Sequence, residues 1–186
     1  MQDNREVIIL AAIEQFNMHG IQGASISMIA QAARIAKGTL YYYFKAKEDL
    51  IEGAFEYVQR NAKEMALGKI DFNHDPEQIV KQLVRDSLIW PLRYPEQLRF
   101  MDSYLHLYFY EKQVYQLFPL GIFDEEHLSA RMRRALKPDL PLDLLNTIVG
   151  SMLTNFCKYV IINPEFGEEQ NFINTMAQVI WDMVSR

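Results

Sequence analysis

"IAKGTLYYYFKAKEDL" runs from Ile35 to Leu50 and puts three tyrosines and a phenylalanine in a row, with two lysines just behind them. If Lys37 to Phe44 is a helix, successive side chains are about 100° apart. Leu40 and Phe44 then share one apolar face, which belongs to a core. Tyr42 points the opposite way, with Gly38, Thr39 and Lys45 on or near its side. Tyr41 and Tyr43 flank the core edge. One side of the run packs and the other is displayed. The displayed groups are a glycine, a hydroxyl, a phenol and an amine. Groups of this kind contact phosphates, read base edges and pack on thymine methyls.

The surrounding sequence supports a nucleic-acid surface in this region only. The chain has 186 residues and a net charge of -5, which argues against a general polyanion binder. From Gln15 to Lys47, however, there is no Asp or Glu, and Arg34, Lys37, Lys45 and Lys47 gather in the second half of that window. Just upstream, Ser25 is placed to cap a short helix over about 26–33, whose apolar side holds Ile26, Ile29, Ala30 and Ala33. A break at 34–36 separates the two short helices. Two short helices joined by a tight turn, the second with a displayed polar face, make a helix-turn-helix. A purely structural helical hairpin with snorkelling tyrosines is the competing reading. It leaves unexplained why acids vanish where the lysines gather.

Helix signals dominate the rest of the chain. Ile9, Ala12, Ile13 and Phe16 recur at i, i+3, i+4 and i+7, so a first helix is expected over about 3–18. "HGIQG" (His19–Gly23) ends it, with two glycines available for positive φ. Further helices are expected at about 48–67, 76–93, 95–117, 123–136, 142–162 and 168–185. They are separated by "DFNHDP", Tyr94–Pro95, "FPLG", "KPDLP" and "NPEFG". No strand or repeat is evident, so the fold class is all-α. At 49% apolar residues the chain can build a sizeable core.

Other chemistry is not indicated. One cysteine, Cys157, permits no intrachain disulfide and reads as a buried small hydrophobe. His19, His74, His106 and His127 have no partners at ligand spacing, so no metal site or cofactor is expected. Neither a phosphate loop nor a nucleophile elbow is present, so an enzyme is not expected. The run Val7–Ile13 is too short to cross a bilayer and no other segment looks long and apolar enough, which points to a cytoplasmic protein without a membrane partner.

The stretch from Ile9 to Leu50, with "AA…F…G", "IA…A" and above all "KGTLYYYFKAKEDL", resembles the DNA-binding domain of the TetR family of bacterial transcriptional regulators. The resemblance implies a three-helix DNA-binding domain over 1–47 and a larger helical effector-binding and dimerisation domain over 48–186. It also implies a two-fold homodimer paired through the last two helices, on a double-stranded DNA operator. Its DNA contacts carry over to Ser25 and Ser27, to Lys37, Gly38, Thr39, Tyr41, Tyr42 and Tyr43, and to Lys47. Chemistry favours Thr39 and Tyr42 for bases, and Lys37, Tyr41 and Lys47 for phosphates. Two positions depart from the family pattern. Arg34 stands where a turn glycine is usual, and Ala36 where a capping serine is usual. Each costs on the order of 1 kcal/mol, with Arg34 repaid by a phosphate contact.

Phe100, Tyr104 and Tyr108 repeat every four residues in an aromatic-rich middle region. Such a stripe builds either a core or a pocket wall. The resemblance favours a pocket for a lipophilic or aromatic small molecule, lined by Trp90, Phe100, Met101, Tyr104, His106, Tyr108 and Phe118. "LLNTIVGSMLTNFCKYVII" (Leu144–Ile162) is apolar over much of its circumference. Small residues there, with a stripe on the last helix, suggest a helix–helix seam at Gly150, Thr154, Met176, Val179 and Met183. The leading reading is a repressor released from its operator by such an effector. A constitutive DNA binder with a solid core, and a small helical enzyme or carrier, are the alternatives.

Overall fold

A computed structural model describes residues 4–112, 129–163, 165–166 and 170–186. Nine helices are formed among them: α1 Asn4–Gly23, α2 Ile26–Ala32, α3 Lys37–Tyr43, α4 Lys47–Leu67, α5 Pro76–Arg93, α6 Pro95–Lys112, α7 Ala130–Ala135, α8 Leu142–Ile162 and α9 Gln170–Val184. The all-α class is as the periodicity indicated. The chain divides into two compact units. One holds α1–α3, α4 as far as Arg60, and α6. The other holds the rest of α4 with α5, α7, α8 and α9.

In the first unit, α1 lies on α2 and α6. Its buried face is Ile8, Ile9, Ala12, Ile13 and Phe16, close to the stripe read from the sequence. The break expected in "HGIQG" is made by Gly20 alone, at φ 74 and ψ 155. The chain then makes one more helical turn to Gly23, which has no positive φ. One left-handed residue suffices to redirect the chain, so the helical segment ends later than expected.

The second unit is built around α5, which packs against α8, α9 and α7. Its buried side chains include Ile79, Val80, Leu83, Val84, Leu88 and Trp90. Pro91 falls in the last turn of α5, and Tyr94 closes the helix by donating to the Trp90 carbonyl. At the far end of the chain, Lys137 N donates to the Val184 carbonyl and Arg186 N to that of Ala135. Lys137 Nζ adds a bond to the Met183 carbonyl at 2.7 Å. The C-terminus is thereby tied to the segment after α7.

Contrary to the sequence expectation, α8 is long and apolar enough to cross a membrane, with 21 residues and a mean hydropathy of 1.2 over its most apolar stretch. Its stripe of Leu145, Val149, Leu153, Cys157 and Val160 is buried on this unit's own core, as in any core helix. Burial pushes the Cys157 thiol far above its ordinary pKa, so it stays protonated. Of the helix expected over 123–136, only α7 falls within the described residues.

Candidate DNA-contacting surface

Helix α2 starts on Ser25, whose side chain accepts from Met28 N at 3.3 Å. This cap satisfies an orphan amide at the helix start. Ile29 and Ala30 anchor α2 in the core, and Ser27 on the other side is exposed. The turn is held by Ala33 N to the Ile29 carbonyl, Arg34 N to that of Gln31 and Ile35 N to that of Ala30. Arg34 takes φ 56, the left-handed conformation that the missing glycine would have adopted freely. Ala36 opens α3 with no side-chain cap. Both departures from the family pattern are therefore absorbed without losing the turn.

Helix α3 splits as its spacing predicts. Leu40 and Phe44 are buried at 0% and 3% exposure, while Tyr42 is 75% and Tyr41 46% exposed. Lys37 and Gly38 are exposed, and Thr39 and Tyr43 are half-buried. Tyr43 meets Tyr42 edge-on, with ring centroids 5.2 Å apart and planes at 87°. That contact holds the Tyr42 ring against its neighbour while leaving most of its surface open. No side-chain cap or acid neutralises this end of the helix, so its amides and Lys37 present positive potential.

Lys47 is held differently from the others. Its Nζ donates to the Gln22 carbonyl at 2.8 Å. The ammonium thus spans the end of α1 and the start of α4, and this bond uses one of its three protons. Asp49 caps the same corner by accepting from Ala46 N.

Behind the displayed face lies packing that the sequence did not reveal. Phe44 lies beneath the Arg5 guanidinium, 5.1 Å from its ring centroid. A Cβ added at Gly53 would fall 2.9 Å from Phe44 Cε1 and 3.2 Å from an Arg5 nitrogen. Gly53 therefore lets α4 approach α3 more closely than any side chain would. Tyr57 donates to Glu6 at 2.9 Å, joining α4 to α1. Asn17 Nδ2 reaches the backbone and carboxylate oxygens of Glu96, both at 2.9 Å, joining α1 to α6. The sequence cue to the Phe44 contact is Gly53, a residue without a side chain inside a 21-residue helix; the Tyr57–Glu6 and Asn17–Glu96 links carry no such cue.

The residues expected to line an effector pocket are placed as follows. Phe100, Met101 and Tyr104 are buried at 0%, 0% and 3% exposure. Phe100 stacks on Phe16 at 5.6 Å, and Tyr104 on Phe55 of α4 at 3.9 Å. Tyr108 is half-buried beside Tyr104 at 4.8 Å. His106 points outward and is exposed. Trp90 is buried in the other unit, and Phe118 lies outside the described residues.

Of the expected seam, Val179 is 43% exposed and Met176 and Met183 are half-buried. Gly150 and Thr154 are instead buried within their own unit, and Thr154 Oγ1 donates to the Gly150 carbonyl. The exposed apolar residues of α8 are Leu144, Tyr159, Ile161 and Ile162.

The sequence model of the bacterial regulatory proteins of the tetR family matches residues 8–54, which run from α1 through the Gly53 contact. The HTH-type transcriptional regulator AcrR of Shigella flexneri is 30% identical over 84 residues, 45% of this chain and 39% of that protein. The HTH-type transcriptional repressor NicS of Pseudomonas putida is 35% identical over 96 residues, 50% and 43%. The chain thus matches about two fifths of the length of these relatives. A TetR family transcription regulator from Marinobacter aquaeolei VT8 superposes with a TM-score of 0.76 at 21% identity, covering 98% of this chain and 95% of that one, so the shared fold extends beyond the shared sequence. Over residues 8–54, from α1 into α4, this chain is thus similar to the bacterial regulatory proteins of the tetR family.

Proposed function

We propose that this chain is a DNA-binding transcriptional regulator, a homodimer in the bacterial cytoplasm that represses its target until a small lipophilic or aromatic molecule releases it. The observation that carries the reading is α3: Tyr42 and Tyr41 stand out of the surface while Leu40 and Phe44 fix the helix from behind. A soluble domain gains nothing from an exposed tyrosine pair in an acid-free basic window, unless that face meets DNA. Thr39 and Tyr42 read base edges and methyls. Lys37, Tyr41 and the remaining protons of Lys47 hold phosphates, with Ser25 and Ser27 beside them. Gly38 allows the backbone to come close. The similarity to the regulator AcrR and the repressor NicS supports the same role.

Two-fold pairing would set two α3 helices about one DNA turn apart, on the order of 34–36 Å. The exposed apolar residues of α8 and α9 supply a surface for it. For release, the Phe55–Tyr104 stack is the coupling element. An aromatic effector competing for that stack would shift α4, whose first residue is Lys47. Tenfold weaker DNA binding needs only about 1.4 kcal/mol of preference for the shifted arrangement.

A gel shift on the DNA upstream of the chain's own gene tests the reading. Saturable binding of that DNA over an unrelated sequence is expected, with sedimentation as a dimer. A monomer at micromolar concentration, or equal affinity for both DNAs, would overturn it.

A further inference from the structure

A second feature lies away from both α3 and the aromatic stripe, wholly within the second unit. A cleft of about 470 Å³ opens between the α4–α5 connection and one face of α5, lined by Lys69, Ile70, Asp71, His74, Gln78, Ile79, Lys81, Gln82 and Arg85. The α5 side chains Gln78, Lys81, Gln82 and Arg85 fall at i, i+3, i+4 and i+7, so they form one continuous stripe. The opposite stripe, with Val80, Leu83 and Val84, is core. The apolar stripe seats this helix in the core. The volume suits a small metabolite, and the lining is too polar for a lipophilic one.

The charges decide what would enter. Lys81 is engaged by Glu77 at 2.5 Å, and both Asp86 oxygens accept from Gln82. The Asp71 carboxylate is occupied on one oxygen by the Asn73 amides and on the other by His74 at 3.2 Å. The cations left over are Lys69 and Arg85. Lys69 has no ion-pair or hydrogen-bond partner among the described residues. Arg85 is half-buried, and its Nε donates to Asn174 Oδ1 of α9 at 3.1 Å. That bond holds the guanidinium by one edge and leaves its terminal amino groups for another acceptor. A partly desolvated guanidinium in a cleft is a receptor for a planar oxyanion, because its donors match two oxygens at once. The Gln78 and Gln82 amides and the His74 ring can meet further polar groups of the same molecule, above a floor made by Ile79.

The geometry points to a binding site in this cleft for a small, polar metabolite carrying a carboxylate or phosphate, with Arg85 and Lys69 as its anion-holding residues. This site is distinct in place and in chemistry from the effector reading above, and does not depend on it.

Isothermal titration of the full chain, without DNA, tests the site with citrate as the carboxylate probe and pyrophosphate as the phosphate probe. Saturable binding of at least one probe is expected, at one site per chain, and the preferred probe identifies the acid group. Arg85→Gln should weaken that binding by about tenfold or more, the scale of a lost charged hydrogen bond. Lys69→Gln, an exposed change that spares the fold, should weaken it by a smaller factor. Lys37→Gln, on the DNA-facing helix, should leave it unchanged. No saturable binding of either probe would overturn the site. So would a loss caused by Lys37→Gln, or binding indifferent to both cleft substitutions.

Discussion

Two aromatic runs of this chain meet opposite fates. In α3, "TLYYYF" leaves Tyr42 and Tyr41 in solvent; in α6, "FMDSYLHLY" buries Phe100, Met101 and Tyr104 almost completely. Composition does not separate them, for both are rich in tyrosine and both sit in the first unit. Length and neighbours do. Helix α3 has seven residues, enough to seat one face through Leu40 and Phe44 and no more. Helix α6 has 18 and packs against α1, with Phe16 of α1 and Phe55 of α4 stacked on its rings. An aromatic run is a binding surface only where the fold supplies nothing to cover it.

The comparison can be broken most forcefully at Tyr104. If its ring is core, Tyr104→Ala should cost about 3–5 kcal/mol of stability, as large-to-small changes in packed aromatic sites do. A chemical denaturation midpoint close to wild type would show the ring to be dispensable packing. The α6 run would then be as open to a ligand as α3 is to DNA.

Next in size is Gly53, the point where α4 supports the back of α3. Gly53→Ala forces a Cβ to within 2.9 Å of the Phe44 ring, a ring that is itself buried. Overpacking of this kind costs about 1–3 kcal/mol. Thermal unfolding should report the loss, and DNA affinity should fall with it because α3 loses its backing. An unchanged melting temperature would mean that Phe44 yields without cost.

Tyr42→Ala sharpens the contrast from the other side. A side chain that is 75% exposed should give up no more than about 0.5 kcal/mol of stability. Operator binding should weaken by about 1–3 kcal/mol. Lys47→Ala should weaken binding to every DNA and flatten its salt dependence by about one unit of slope. Fluorescence anisotropy across a salt series separates the two. Equal loss on specific and unrelated DNA in Tyr42→Ala would move that ring from base reading to backbone contact.

How much of this was legible in advance follows the same division. The helix-turn-helix could be read because its determinants are local: Ser25 as cap, Leu40 and Phe44 four apart, a basic window without acids. The fate of the α6 stripe could not, because Phe16 and Phe55 are far from it in sequence. Gly150 and Thr154 looked like seam residues for the same reason. Small size marks a close approach without saying which helix approaches, and both residues are buried within their own unit. The α5 cleft was invisible because its polar stripe reads as an ordinary solvated face until the α4–α5 connection folds beside it.

The smallest expected effect belongs to Arg34. Its φ of 56 costs about 1–2 kcal/mol in a residue with a Cβ. Arg34→Gly removes that strain but gives back about 0.5–1 kcal/mol through the freer unfolded chain. The net gain in stability should therefore be a few tenths to about 1 kcal/mol, seen as a slightly higher denaturation midpoint. Because Arg34 is exposed in the turn between α2 and α3, its guanidinium can reach a phosphate, and the substitution removes that contact. The variant should fold more stably and bind DNA more weakly, with a shallower salt dependence. Those opposite signs are the mark of a residue kept in a strained conformation for binding. A variant that gains stability at undiminished DNA affinity would make the strain purely incidental.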